Sequence, residues 1–399
     1  MASRYGLRYF TGCALGALML AACGQTSTDT LPNETVTAPT PPMAEVTAPQ
    51  RPAANPMRNA YFGDMHIHTR NSFDAYIFNV RNEPADVYRF ANGETIKHPL
   101  GFDLKIAGEP LDFVAATDHG AYMGILPAMH DPNNPLSKLD MSKEMFGTDP
   151  ELITNAFGKI GGSVRSGVPY EEIYDRAIID SAWKQAIDTA NEYYVPGKLT
   201  TFAAYEFTAV STQGREDTSF VGGNLHRNVV FKDAAPDRLF STLDSINPED
   251  LWTWMDGQRA GGRDVLAIPH NSNVSDGEMF AMTKYYGGDI DAAYTKQRIE
   301  NEPIVEMTQV KGTSETHPAL SPNDEWASFE IYENLLSSDV VSKIHGSYVR
   351  EALANGFDLE AKTGTNPYKF GMIGSSDTHV AGGAFDEKDY WSKVGIIDA

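Results

Sequence analysis

Residues 60–69 read Ala60-Tyr61-Phe62-Gly63-Asp64-Met65-His66-Ile67-His68-Thr69, and this stretch decides the fold class. An apolar, aromatic run ends in two histidines at positions i and i+2. On a β-strand that spacing puts both imidazoles on one face, where they can reach a single cation. The same grammar recurs down the chain. Leu111 to Thr117 closes with Thr117-Asp118-His119, Leu199 to Phe207 with Tyr205-Glu206-Phe207, and Val265 to Pro269 with Pro269-His270-Asn271. Phe370 to Gly374 is followed by Ser375-Ser376-Asp377-Thr378-His379, and Asp74 follows the first motif.

Further strands are predicted at Asn228 to Phe231 and Pro303 to Thr308, rich in β-branched and aromatic residues. Helices are predicted at Tyr170 to Tyr194, Pro248 to Ala260 and Val340 to Ala354. The second has Asn247 as N-cap, Pro248 at its first position and two acidic residues in its first turn. The third runs into Asn355-Gly356 as its stop, and Pro127 to Val168 reads as an insertion of loops and short turns. Strands separated by helices imply parallel βα units, in a barrel or a doubly wound sheet. In such barrels the carboxyl ends of the strands meet at one mouth, so ligand-type residues from five strand ends converge there.

Composition sets the outer bounds. The chain has 399 residues, room for one large α/β domain or two smaller ones, and its 41% hydrophobic content supports a sizeable core. A net charge of -22 argues against general binding of nucleic acid or anionic membrane, though bound cations would still admit a small anionic substrate. The two cysteines, Cys13 and Cys23, both precede the folded part, which therefore has neither a disulfide nor a thiolate site. Arg4 and Arg8 followed by the apolar stretch Phe10 to Ala22 form a leader too short for an ordinary spanning helix. It ends in Leu20-Ala21-Ala22-Cys23-Gly24, similar to a bacterial lipobox. Residues 1–23 are thus read as a lipoprotein signal peptide, with acyl chains on Cys23 and an outer-membrane, periplasmic or surface-facing destination. Residues 24–58, rich in Thr, Pro and Ala, are read as a disordered tether, and 59–399 as the catalytic domain.

Taken in order, His66-Ile67-His68-Thr69, Asp74, Thr117-Asp118-His119, Glu206, His270 and Asp377-Thr378-His379 resemble the PHP (polymerase and histidinol phosphatase) superfamily. Leu225-His226-Arg227-Asn228-Val229-Val230-Phe231 and the leader resemble its bacterial lipoprotein-type branch called domain of unknown function 3604. The resemblance implies a distorted seven-stranded (βα) TIM-like barrel holding three divalent metal ions. It assigns His66, His68, Glu206 and Asp377 to the first metal. Glu206 would bridge to a second held by His226 and His270, and Asp74, His119 and His379 would hold the third. Asp118 is expected to orient a ligand histidine, and Glu306, at a strand end, faces the same mouth. Arg227 and Arg70 stand beside ligands and could meet a phosphate or, equally, balance the carboxylate excess there; Glu206, Asp118 and Arg227 are the candidate catalytic groups. His98, His130, His317 and His345 match no motif and are assigned to packing or surface, with His345 expected inside a helix. The branch continues beyond the point where this chain stops, after Val394-Gly395-Ile396-Ile397. The chain is therefore expected to be a C-terminal fragment or to lack a closing element.

A mixed histidine and carboxylate set without sulfur suits Zn, Mn or Fe. A hydroxide bridging two such ions would attack phosphorus in line, so the expected activity is hydrolysis of a small phosphorylated substrate. The alternatives are an amidohydrolase-type hydrolase, which adds a carboxylated lysine, and a non-catalytic surface metal-binding module. The lipobox carries its own prediction: Cys23→Ser should abolish the lipid mass increment and release the protein from membranes. An unchanged mass and membrane fraction would contradict it.

Overall fold

The computed structural model describes residues 55–211, 222–336, 338–383 and 394–395. The leader, nearly all of the tether and Ile396-Ile397 lie outside them. No helix among the described residues is long and apolar enough to cross a membrane.

The main sheet has five strands in sequential order: β1 (Gly63–Asp64), β2 (Phe113–Ala116), β3 (Thr200–Phe207), β4 (Arg227–Phe231) and β5 (Val265–Pro269). β1, β2 and β3 are parallel, in register at Gly63–Phe113 and Phe113–Thr200. β4 runs the other way, pairing Phe207 with Arg227 on one side and Arg227 with Pro269 on the other. A second sheet is built around β6 (Ile304–Gln309), flanked by β7 (Gly312–Thr313) and β8 (Gly371–Gly374). Alternation sorts the side chains. Phe202 and Ala204 of β3, Val230 of β4 and Ile268 of β5 pack the concave face with Met65 and Ala115. Tyr205, Phe207, Val229, Phe231 and Ala267 face the helical layer.

The fold is mixed α/β with a curled five-stranded half-barrel, and this corrects the expected closed seven-stranded barrel. Among the described residues no ladder forms between β5 and β6, and the two sheets meet on the other side through one bridge, Ile67 to Thr378. Side chains explain why the ladder is so short at that seam. On the side facing β8, His66 N–H is taken by Asp64 Oδ1, while His68 N–H reaches the backbone carbonyl of Thr378; on the side facing β2, Ile67 N–H goes to Thr117 Oγ1 and Thr69 N–H to Asp118 Oδ1. Ser376 N–H also goes to Asp64 Oδ1. A strand with amides captured by side chains on both sides keeps only a short ladder.

Helix α1 (Phe73–Ile77) follows the first motif, α2 (Pro150–Ser166) and α3 (Arg176–Tyr193) precede β3, and α4 (Pro248–Ala260) precedes β5. α5 (Ala292–Asn301) precedes β6 and α6 (Val349–Thr363) precedes β8. The Asn247 cap of α4 accepts from Glu249 N–H as expected. Two readings need correcting. The region 127–168 contains α2, capped by Asp149 at one end and by left-handed Gly167 at the other. The helix expected at Val340 to Ala354 lies later in the chain. It passes through Asn355-Gly356 and stops at Gly364, whose φ of 86° is the left-handed cap glycine allows. His345 therefore sits in an exposed turn, paired with Glu351.

Behind β4 lies a buried ionic knot. Arg227 Nε donates to Glu302 Oε1 at 2.5 Å, Trp252 Nε1 donates to the same oxygen at 2.8 Å, and Arg298 Nε lies 3.3 Å from Glu302 Oε2. Both guanidiniums and the carboxylate are withdrawn from water, so deleting the carboxylate leaves two buried cations facing each other. Glu302→Ala should lower stability by about 3–5 kcal/mol in denaturant unfolding of the metal-free protein. A loss below about 1 kcal/mol would contradict that description.

Candidate metal centre

The reversed direction of β4 brings the site together. Its amino end lies beside the carboxyl ends of β3 and β5, so His226, just before β4, reaches the same rim as Glu206 and His270. The sequence places His226 ahead of an apolar run instead of after one, and the antiparallel strand is the reason. His66, His68, Asp74, His119, Glu206, His226, His270, Asp377 and His379 all fall within this one cluster.

Glu206 is its centre. Oε2 lies 3.3 Å from His66 Nε2 and 3.2 Å from His68 Nε2. Oε1 lies 3.3 Å from His119 Nδ1, 2.6 Å from His226 Nδ1 and 3.6 Å from His270 Nε2. Each oxygen of the carboxylate thus faces a different set of imidazoles. Asp377 Oδ1 is 3.3 Å from His66 Nε2 and 3.4 Å from His68 Nε2. Asp74 Oδ2 lies 3.1 Å from His119 Nε2 and 2.9 Å from His379 Nε2. Three overlapping groups have donor atoms close enough for shared cations: His68 with Asp74, His119 and His379; His66 with Glu206 and His270; and His66 with His68 and Asp377.

The donor chemistry fits cations. His68 Nε2 and both ring nitrogens of His270 are buried and make no hydrogen bond among the described residues, an expensive state unless a cation takes the lone pairs. Burial, reinforced by nearby His66, pushes His270 well below the ordinary imidazole range, and burial also lowers His226. Burial brings His379 down to about 4, so these three rings are neutral donors at pH 7. Burial would raise Glu206 and Asp74, but the facing imidazoles hold both well below the usual carboxylate range. His66 goes the other way: against burial, Asp377 and Glu306 raise it to about 10. Against burial, Asp74 and Glu206 likewise raise His119 well above the ordinary imidazole range.

A supporting layer fixes the rings. Glu306 Oε2 is 2.9 Å from His66 Nδ1, and Thr208 Oγ1 is 2.6 Å from His119 Nδ1. Asp118 touches no ligand histidine directly. It accepts from Thr69 N–H, Thr69 Oγ1 and Ser72 Oγ, and Ser72 Oγ lies 2.8 Å from His68 Nδ1. Asn271 and Asp377 adopt left-handed φ values of 52° and 53°, a costly conformation for non-glycine residues that recurs at functional sites.

The structure does not bring every candidate here. Alternation turns Arg227 to the helical side of β4, into the ion pair with Glu302, so it is removed from the mouth. Arg70 pairs with Glu83. His98, His130 and His317 lie elsewhere, the first two stacked on Phe102 and Phe146 and the third tilted against Tyr348. Two contributors had no signal in the sequence. Gln309 Nε2 donates to Asp377 Oδ2 at 2.6 Å, and Lys311 Nζ forms an ion pair with the same oxygen.

With His66 protonated in the metal-free state at neutral pH, a metal ion must displace that proton. Loading at pH 7 should release roughly one to two protons per protein, and affinity should strengthen as pH rises from about 6 to about 8. Calorimetry in buffers of different ionisation enthalpy counts the protons. Tight uptake without proton release would contradict the assignment of His66.

Comparison with known proteins agrees with part of this reading. No curated protein and no solved structure matches the chain significantly. The family described as Protein of unknown function (DUF3604) matches residues 55–399, which takes in the whole sheet and every donor of the cluster. The chain belongs to the DUF3604 family.

Proposed function

We propose that this chain is a metal-dependent hydrolase of phosphoesters, related through its site to the PHP superfamily. The observation that carries the reading is the division of Glu206: one buried carboxylate presents Oε2 to two imidazoles and Oε1 to three. That is the arrangement a carboxylate needs to span neighbouring cations. Divalent ions bound there would polarise a phosphoryl oxygen and make water acidic enough to supply hydroxide at neutral pH. The chain's own residues supply orientation. Glu306 fixes the ring of His66, and Asp118 fixes that of His68 through Ser72. Asp74, with a quarter of its side chain exposed, marks the solvent side from which a substrate would approach. The order of the motifs along the chain adds support for the PHP relationship. The same proposal includes lipid anchoring at Cys23 and an outer-membrane location.

The amidohydrolase reading calls for a carboxylated lysine, which forms from a neutral amine. Lys311 is the one described lysine paired to the cluster. Burial works against its charge, but Asp377 and, behind it, Glu206 and Asp74 keep its pKa raised, which favours the ammonium. An amine held in that ion pair is not the free neutral amine that carboxylation needs, which favours phosphoester over amide chemistry.

On a reporter phosphoester, chelation should abolish activity and Mn or Zn should restore it. Asp118→Asn should lower activity about 10–100-fold. Glu206→Gln should fall much further, because removing its charge damages both groups of ligands. Equal activity in Glu206→Gln and wild type would rule out the spanning role, and turnover of amides but no phosphate ester would reject the proposed class.

A further inference from the structure

The donor cluster is open to water on one side. The side chains of Asp74, His226 and Lys311 are 26%, 12% and 25% exposed, whereas those of His66, His68, His119, Glu206, His270, Asp377 and His379 are 6% exposed or less. A substrate reaching the cluster meets these three residues first. Among them Lys311 is the only permanent cation. Its position is built by the local backbone. The register of β6 against β8 shifts between Glu306 and Thr308, which inverts the alternation and returns Gln309 to the face of Glu306. β6 then turns through Val310 and Lys311 into β7. Gly312 makes the turn possible: its φ is 90°, and a Cβ there would lie 2.7 Å from Tyr332 Cβ and 2.8 Å from Glu330 O. Gln309 locks the hairpin to the site, accepting from Lys311 N–H at 2.6 Å and donating to Asn271 Oδ1 at 2.8 Å and to Asp377 Oδ2.

Asp377 thus has two separate duties. Oδ1 faces His66 and His68, while Oδ2 takes Gln309 and Lys311. The ammonium does not compete with the imidazoles for one oxygen, and Gln309 keeps Oδ2 hydrogen-bonded without it. A lysine whose sole task was to satisfy Asp377 would be redundant here. An ammonium has three N–H donors on a flexible stem, suited to a tetrahedral anion approached from water.

We propose that Lys311 is a substrate-positioning residue that holds a non-bridging phosphoryl oxygen at the open side of the metal cluster. The inference rests on the phosphoester reading above, and it makes the preferred substrate one with a dianionic terminal phosphate. Such a group can face the cluster and the ammonium at once.

The test uses the full chain loaded with Mn or Zn, with inorganic phosphate as the probe. Lys311→Met and Lys311→Gln should keep the wild-type metal content but bind phosphate about 10- to 100-fold more weakly. Lys311→Arg should recover most of that loss. On a reporter monoester, KM should rise by more than kcat falls. If wild type binds phosphate and both neutral variants bind it equally well, the inference fails and the phosphoester reading stands. Metal-loaded wild type that binds no phosphate would overturn both. Loss of metal from both neutral variants would also overturn the inference, by making Lys311 a support for Asp377.

Discussion

The carboxylate of Glu206 is the constraint around which the site is organised. It is buried at the end of β3 with five imidazoles within about 3.6 Å. Taking a carboxylate and this many rings out of water is costly unless their charges and lone pairs are met. Some are met by protons, as with His66. The buried nitrogens of His68 and His270 face carboxylates but make no hydrogen bond among the described residues, and a cation is the partner that suits histidine and carboxylate together. Asp74 and Asp377 extend the same logic on either side.

The fold is shaped to deliver those donors to one edge. Parallel strands β1 to β3 bring three motifs to their carboxyl ends, and antiparallel β4 contributes His226 from its amino end. The regularity of the sheet gives way where ligands are needed. Asp64, Thr117 and Asp118 take the amides of His66, Ile67 and Thr69, and among the described residues one bridge, Ile67 to Thr378, joins the two sheets there. Positive φ at Asn271 and Asp377 belongs to the same pattern. An open, curled sheet with an irregular rim follows from this local chemistry.

Much of the cluster was legible in the sequence because its signals are local. His66 and His68 announce themselves by spacing, and Thr117-Asp118-His119 and Asp377-Thr378-His379 by their place after apolar runs. Strands β3 and β5 and helix α4 follow from side-chain pattern and caps. Three kinds of information were not local. The direction of β4 decides that Arg227 is structural and His226 faces the site, and it is fixed only by pairing with β3 and β5. Gln309 and Lys311 reach Asp377 because of a register shift and a glycine turn, neither of which has a periodic signature. Barrel closure is limited where Asp64 Oδ1 takes both His66 N–H and, from across the seam, Ser376 N–H. The position of α6 was misread for a simpler reason: Asn355-Gly356 looks like a stop, but Gly356 lies within the helix, which ends at Gly364.

With imidazoles facing each of its oxygens, Glu206 is placed to lie between bound divalent cations. Anomalous diffraction from crystals grown with Mn or Zn tests it most directly. At least two anomalous peaks are expected, one on each oxygen of Glu206, with donors at roughly 2.0–2.2 Å. One peak should include His66 or His68 and another His270 or His226. A single peak away from Glu206, or no peak in protein that retains this geometry, would contradict it.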